Sequence, residues 1–226
     1  GWARSTGERL GNVVFGAPTS AFYQTEIEAP FFEHYLKNNG PMNLPDAWIF
    51  ETGSNRWTRY DSWPPPKAQK QKFRFGNGGQ LITAPTGTPA LSLRFGPASE
   101  EADRYTSNPA KPVPYDLWVS LDDAGLAGPD RLLDADFVIK LIDVFPDTLS
   151  GQENGVPLGG YQMLVRGEIF RGRYRDSFEK PAGFKRGEIY PVRFELPDVA
   201  HRFLPGHRIM VQVQSTWFPV IDRNPQ

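Results

Sequence analysis

Residues 208–214 have the sequence RIMVQVQ, and their side chains alternate in a way that decides the fold class. Ile209, Val211 and Val213 would lie on one face of a strand, with Met210 and the two glutamines on the other. A period of two is typical of a strand whose sheet packs on one side only. The stretch therefore predicts a half-buried β-strand.

Further strands are predicted along the chain, and a period of two is visible in several of them. Longer strands are predicted over residues 136–145, 161–170 and 189–196, and shorter ones over 47–51, 57–60, 73–75, 81–83 and 91–95. Gly53-Ser54-Asn55 separates two of the short runs and is typical of a hairpin turn. With 22 Gly, 22 Pro and 13% aromatic residues, the composition favours short strands and tight turns over long helices. A mostly β fold, arranged as a sandwich, is predicted.

One helix is predicted near the N-terminus, over residues 19–38, with Thr19 or Ser20 as its cap and Pro30 kinking or splitting it. Its apolar side chains form one continuous face. They are Tyr23, Ile27, Phe31 and Tyr35, with Phe22, Phe32 and Leu36 beside them. From residue 41 the helical pattern ends, so a domain boundary is predicted between residues 1–40 and 41–226.

Charge and composition exclude some classes of partner. The formal net charge is -1, and the basic residues are scattered among acidic ones, so no nucleic-acid partner is expected. No apolar stretch is long enough to span a bilayer and the first residues are polar, so no membrane association is expected. The chain has no cysteine, which any redox compartment permits. The compartment is left open.

No set of catalytic, cofactor-binding or metal-binding residues is predicted. No serine lies in the G-x-S-x-G pattern of a nucleophile elbow, and nothing selects a triad partner among His34, His201 and His207. Clustered aspartates are instead assigned to turn capping and backbone hydrogen bonding at strand ends rather than to glycoside hydrolysis. They are Asp134, Asp136, Asp143 and Asp147.

Two further clusters have both a binding and a structural interpretation. Arg171, Arg173 and Arg175 could bind a carboxylate ligand, but nearby Asp176 and Glu179 favour local ion pairing. The segment Trp217-Phe218-Pro219 could stack on a sugar ring, although such residues more often pack between sheets or against a neighbouring domain.

Several long strings resemble one enzyme family, the α-amino-acid ester hydrolases with the related X-Pro dipeptidyl-peptidases, glutaryl acylases and cocaine-esterase-like serine hydrolases. The strings are RGRYRDSFEKP (171–181), LPGHRIMVQVQSTWFPVIDRNPQ (204–226), DAWIFETGSNRW, SNPAKPVPY, DFVIKLIDVFPD and GGYQMLVRGEIF. GWARSTGERLGNVVFG and TSAFYQTEIEAPFFEHYLK resemble the segment after the family's catalytic histidine and the last helix of its α/β-hydrolase domain. The chain departs from the family in a shortened segment at 116–135 and in an early C-terminal end, and both put its independent stability in doubt.

The resemblance implies a jelly-roll, galactose-binding-like β-sandwich preceded by a short helical remnant of an α/β-hydrolase domain. It implies a non-catalytic C-terminal domain that packs on an upstream hydrolase domain and helps to enclose its pocket, without a cofactor. The complete enzyme would hydrolyse α-amino acyl esters, β-lactam-type acyl groups or X-Pro peptides. A free-standing carbohydrate-binding or interaction module is the alternative, and a homo-oligomer is left open.

Overall fold

A computed structural model of the chain describes residues 5–76, 79–83, 135–153, 155–185, 188, 190–218 and 220–221. Most regular elements in these ranges are strands, and one helical segment lies near the N-terminus, so the prediction of a mostly β fold is confirmed. The jelly-roll topology stays a prediction. The predicted strand at 91–95 lies outside these ranges, as does nearly all of the shortened segment at 116–135. In the same ranges, no helix has both the length and the apolar character that a bilayer span needs.

The helix near the N-terminus is confirmed, but it is not uniform. It comprises α1 (Thr19–Phe22), a π-helical segment (Tyr23–Glu28) and α2 (Ala29–Lys37), and a left-handed Asn38 ends it. The predicted cap was wrong: the Thr19 hydroxyl donates instead to the Gly7 carbonyl at 2.7 Å. Pro30 lies in the first turn of α2, where its missing N–H costs little, and the π-helical segment precedes it.

Short antiparallel pairs account for most of the remaining strands. They are β1 (Arg9–Leu10) with β2 (Val13–Val14), β3 (Ala47–Glu51) with β4 (Arg56–Tyr60), β5 (Phe73–Phe75) with β6 (Leu81–Thr83), and β8 (Gln152–Glu153) with β9 (Val156–Pro157). The predicted hairpin turn is confirmed between β3 and β4, where Gly53 and Asn55 both have positive φ.

The longest strands form a three-stranded sheet in the order β10-β7-β11. They are β7 (Asp136–Val144), β10 (Gln162–Arg171) and β11 (Arg208–Gln214). The central strand β7 is buried along nearly its whole length. On β11 the predicted one-sided burial was wrong, because Ile209 is exposed while Gln212 and Gln214 are partly buried. The exposed residues of β11 are the two at its start, Arg208 and Ile209, so burial changes along the strand and not between its faces.

The strand predicted at 189–196 was also wrong, because the described residues from 190 to 200 form no regular element. The apolar side chains of this segment still pack: Val192 is buried, and the Phe194 ring stacks on Phe170 at 5.2 Å. Pro191 and Pro197 lack the N–H groups that a strand ladder uses. Among the described residues of this segment, burial therefore alternates although no strand is formed.

The chain forms two compact units. Unit 1 comprises residues 1–70, 143–165 and 198–209, and unit 2 comprises residues 71–142, 166–197 and 210–226. In unit 1, the Phe22 ring of α1 stacks on Trp57 at 4.7 Å and meets Trp48 edge-on at 5.2 Å. In unit 2, Phe137 is almost fully buried, and its ring lies 6.2 Å from that of Phe184.

Candidate functional site

The two C-terminal histidines converge on one carboxylate in unit 1. His207 Nδ1 lies 2.8 and 2.9 Å from the two oxygens of Asp143, and His201 Nε2 lies 3.2 Å from Oδ2. The other nitrogen of His201, Nδ1, lies 2.8 Å from the hydroxyl of Thr52. We call Asp143, His201, His207 and Thr52 the Asp143 cluster. The third histidine, His34, is on α2, where its Nδ1 bonds the Gly40 carbonyl at 3.0 Å.

Three chain segments position the cluster. Asp143 is the penultimate residue of β7, and Thr52 follows β3 at the start of the hairpin turn. The backbone of Thr52 forms a parallel bridge with His201, in which its N–H donates to Ala200 O at 3.2 Å and its carbonyl accepts from Arg202 N–H at 2.9 Å. These two bonds fix the spacing between the hairpin and the segment 198–207.

Aromatic rings hold the imidazoles in place. The Phe145 ring lies 4.8 Å from that of His207, and the Phe203 ring meets His201 edge-on at 4.7 Å. Asp143 is only 1% exposed, and the side chain of His201 is 3% exposed. A buried carboxylate needs hydrogen-bond donors, and water does not reach Asp143. The two imidazole N–H groups supply these donors instead.

Burial lowers the pKa of His201, and the charge and hydrogen bond of Asp143 oppose that shift only in part. A neutral His201 fits the contacts, because Nε2–H donates to Asp143 and leaves Nδ1 free to accept from the Thr52 hydroxyl. Glu51 also attracts positive charge at His201, but its carboxylate is paired with Arg202 at 3.1 Å.

A hydroxyl, an imidazole and a carboxylate in series have the connectivity of a hydrolase triad. The nitrogens, however, are used in the opposite order from the serine-protease arrangement, in which the carboxylate holds Nδ1 and the nucleophile meets Nε2. His201 is also too buried to pass a proton to a substrate, and Thr52 is held by backbone bonds on both sides. The geometry supports a structural cross-link rather than a nucleophile with its base.

Two other aspartates of the predicted group, Asp136 and Asp147, form ion pairs with arginines. Asp136, the first residue of β7, accepts a two-pronged ion pair from Arg171 at 2.9 and 3.2 Å. Asp147 lies beyond the other end of the strand and pairs with Arg208 at 3.3 Å. Asp134 lies outside the described residues. The assignment of Asp143 to turn capping was wrong, because its carboxylate binds two imidazoles within the core of unit 1.

The arginine-rich segment is held together internally by Arg175. Its guanidinium donates to the carbonyls of Gly172, Ala182 and Gly183 and lies 4.6 Å from the rings of both Phe184 and Tyr190. The predicted local ion pair is confirmed between Arg175 and Asp176 at 3.4 Å. The carbonyl and ring contacts, which the sequence did not indicate, make up the larger part of the arrangement.

The aromatic pair near the C-terminus is buried. Trp217 and Phe218 are each 8% exposed, so Trp217 offers no open platform for a sugar ring; Pro219 lies outside the described residues. The Lys140 ammonium lies 4.6 Å above the Trp217 ring, and burial lowers its pKa. Among the residues that the structure describes, no three His, Asp or Glu side chains are arranged to hold a metal ion.

Comparison with known proteins gives a consistent set of relatives. A profile of the X-Pro dipeptidyl-peptidase C-terminal non-catalytic domain matches residues 112–226. Cocaine esterase from Rhodococcus sp. (strain MB1 Bresler) is 30% identical over 239 residues, an alignment that covers 88% of this chain and 39% of that protein.

Two solved structures are similar over nearly the whole chain. An aminopeptidase from the marine sediment archaeon Thaumarchaeota archaeon has a TM-score of 0.77 and 33% identity, covering 99% of this chain and 42% of that one. An α-amino acid ester hydrolase has a TM-score of 0.76 and 31% identity, covering 98% and 42%. The chain thus spans about two fifths of the length of these relatives.

Proposed function

Because this chain belongs to the family of X-Pro dipeptidyl-peptidase C-terminal non-catalytic domains, we propose that it packs on an α/β-hydrolase catalytic domain and helps to enclose its substrate pocket. The observation that carries the proposal is the mismatch in coverage. Relatives match 88 to 99% of this chain, but the chain accounts for only 39 to 42% of their length. The remaining length in those relatives leaves room for a catalytic domain.

The exposed face of α2 supports the proposal. Phe31, Phe32, Tyr35 and Leu36 are all exposed, with Leu36 at 76%, and the Phe31 ring contacts the rings of Phe32 and Tyr35. Burying a large apolar side chain contributes roughly 2 kcal/mol. Four such side chains in one patch are therefore typical of a surface that another polypeptide covers.

We propose that the catalytic domain is the polypeptide that covers the exposed face of α2. Residues 1–40 are proposed to be the tail and last helix of that domain, and residues 41–226 to be the C-terminal domain. On this assignment the contacts of Phe22 with Trp48 and Trp57 are interface contacts between the two domains. The exposed side chains of α2 would then extend towards the rest of the hydrolase.

The proposed reaction of the complete enzyme is acyl transfer to water from an ester or an amide. Support comes from the relatives, whose names describe a cocaine esterase, an aminopeptidase and an α-amino acid ester hydrolase. The nucleophile and its base would belong to the catalytic domain. We propose α-amino acyl esters, β-lactam-type acyl groups and X-Pro peptides as the substrates to compare.

The test uses the polypeptide in which this chain follows its own upstream coding sequence, which is expected to contain a G-x-S-x-G elbow. Amino acyl p-nitrophenyl esters, a β-lactam acyl donor and X-Pro p-nitroanilides serve as substrates. We expect Phe31→Ser with Leu36→Ser to lower kcat/KM by about tenfold or more, since two buried apolar contacts are lost from the interface. Phe178→Ser is the control, because Phe178 is an aromatic in unit 2 that is 78% exposed, close to the 76% of Leu36.

Two results would contradict the proposal. One is an upstream sequence without a nucleophile elbow, and the other is an enzyme that tolerates the α2 substitutions as well as it tolerates the control. Binding of a pocket inhibitor separates pocket enclosure from simple docking. If the α2 variants lose activity but bind the inhibitor unchanged, the α2 face docks the two domains without enclosing the pocket.

A further inference from the structure

The Asp143 cluster combines burial with a shortage of counter-charge. Two imidazoles share one carboxylate, and the side chains of both His201 and Asp143 are at least nine-tenths buried. One carboxylate can balance one imidazolium ion. A second proton would leave an unbalanced positive charge in the interior, which proteins avoid because of its desolvation cost.

Among the described residues, the acidic groups near the cluster are already paired, and Glu51 only partly favours a charged His201. Glu51 pairs with Arg202 at 3.1 Å, and Asp147 pairs with Arg208 at 3.3 Å. Asp198 accepts a hydrogen bond from the Trp63 indole at 3.1 Å. These three acidic residues lie within four residues of Thr52, Asp143 or His201 along the chain, and each has a described partner.

The hydrogen bonds of the cluster rearrange when His201 takes up a proton. Its Nδ1 accepts from the Thr52 hydroxyl at 2.8 Å, so protonation of that nitrogen would force the hydroxyl to turn away. The alternative acceptor is the Ala200 carbonyl, which lies 3.4 Å from Thr52 Oγ1 and is at the limit of a hydrogen bond. A protonated Nδ1 would itself donate to Thr52 Oγ1, so protonation reverses the direction of the 2.8 Å bond and moves the hydroxyl proton to this longer contact.

We propose that the Asp143 cluster is a pH-sensitive clasp that holds the segment 198–207 on the β3–β4 hairpin at neutral pH and releases it in mildly acidic solution. The proposal does not depend on the substrate or on the catalytic domain. It is consistent with the direction of the His201 shift: a folded pKa below the ordinary value of 6.5 contributes stability above that value, and this stability is lost as the pH falls through the folded pKa.

Amide hydrogen exchange of the full chain tests the clasp. The reporters are the N–H groups of Thr52 and Arg202, which bond across the hairpin and the segment, and the reference is Gly172 N–H in unit 2. Exchange is measured from about pH 7.5 to about pH 5.5 and corrected for the intrinsic rate. If opening takes up one proton, the opening constant of both reporters rises by about tenfold for each pH unit below about 6.5.

Substitutions identify the groups responsible. The His201→Gln and His207→Gln double variant removes both imidazoles of the cluster and is expected to flatten the pH dependence. His34→Gln, which removes an exposed imidazole from α2, is expected to leave it unchanged. Reporter protection that does not vary with pH in the original chain would overturn the proposal, and so would a full pH dependence in the double variant. If the double variant does not fold, the pH series of the original chain decides the question alone.

Discussion

The substitution Arg175→Met tests whether a single guanidinium organises the turn-rich segment of unit 2. The side chain of Arg175 is 6% exposed, and it donates to three carbonyls and lies over two rings. Met keeps the aliphatic volume but loses every donor. The substitution therefore isolates the hydrogen bonds and the cation–π contacts from packing.

The expected loss of stability follows from how deeply each partner of Arg175 is buried. The carbonyl of Ala182 is exposed and can turn to water, whereas those of Gly172 and Gly183 are partly buried and would lose about 1 kcal/mol each. The contacts with Phe184 and Tyr190 add about 0.5 kcal/mol each. We expect Arg175→Met to lower the free energy of unfolding by about 3 kcal/mol. Arg175→Lys should cost about half as much, because one ammonium cannot reach every carbonyl.

Urea denaturation followed by intrinsic tryptophan fluorescence measures these changes. Asp176→Asn is the control: this carboxylate is 74% exposed, so losing its ion pair should cost less than about 0.5 kcal/mol. The reasoning is refuted if Arg175→Met stays within about 1 kcal/mol of the original chain, or if the control destabilises it equally.

Three further substitutions test other contacts, each by urea denaturation. Gly53→Ala should cost about 3 kcal/mol or more, because its Cβ would lie 2.0 Å from the Arg202 carbonyl oxygen at a φ of +86°; Gly11→Ala, also at positive φ but with open space around it, should cost only about 1 kcal/mol. Lys140→Met should be neutral or stabilising by about 1 kcal/mol, since it removes a buried ammonium, and a loss of stability would count against this view. Asp143→Asn should cost about 3 kcal/mol at neutral pH, and near-native stability would exclude a structural role for its charge.

Sequence patterns correctly predicted those elements in which the burial of the side chains and the hydrogen bonds of the backbone both fit the same secondary structure. The alternation in 136–145 and the turn residues around Gly53 gave a strand and a hairpin that the structure contains. At 189–196 the same alternation matches the burial of the side chains, although the described residues there form no strand. On β11, by contrast, Ile209 is exposed and Gln212 is partly buried, so a period of two predicted the strand but not the covered side chains.

The Asp143 cluster could not be predicted for a different reason. Its histidines are 58 and 64 residues away from Asp143, and Thr52 is 149 residues away from His201. Such contacts depend on how strands are ordered in the sheet, which local patterns do not encode. The available signal was weak: of the three histidines, two lie within a few residues of each other near a strand.

Labelling with a fluorophosphonate, which reacts with activated serine and threonine hydroxyls, tests most directly whether bond-breaking machinery lies outside these 226 residues. The chain alone, incubated with the probe and with amino acyl p-nitrophenyl esters, is expected to show neither stoichiometric labelling nor turnover above that of buffer. Labelling of Thr52 that disappears in His201→Gln, accompanied by ester turnover, would contradict the account, because the buried cross-link would then be a working catalytic centre.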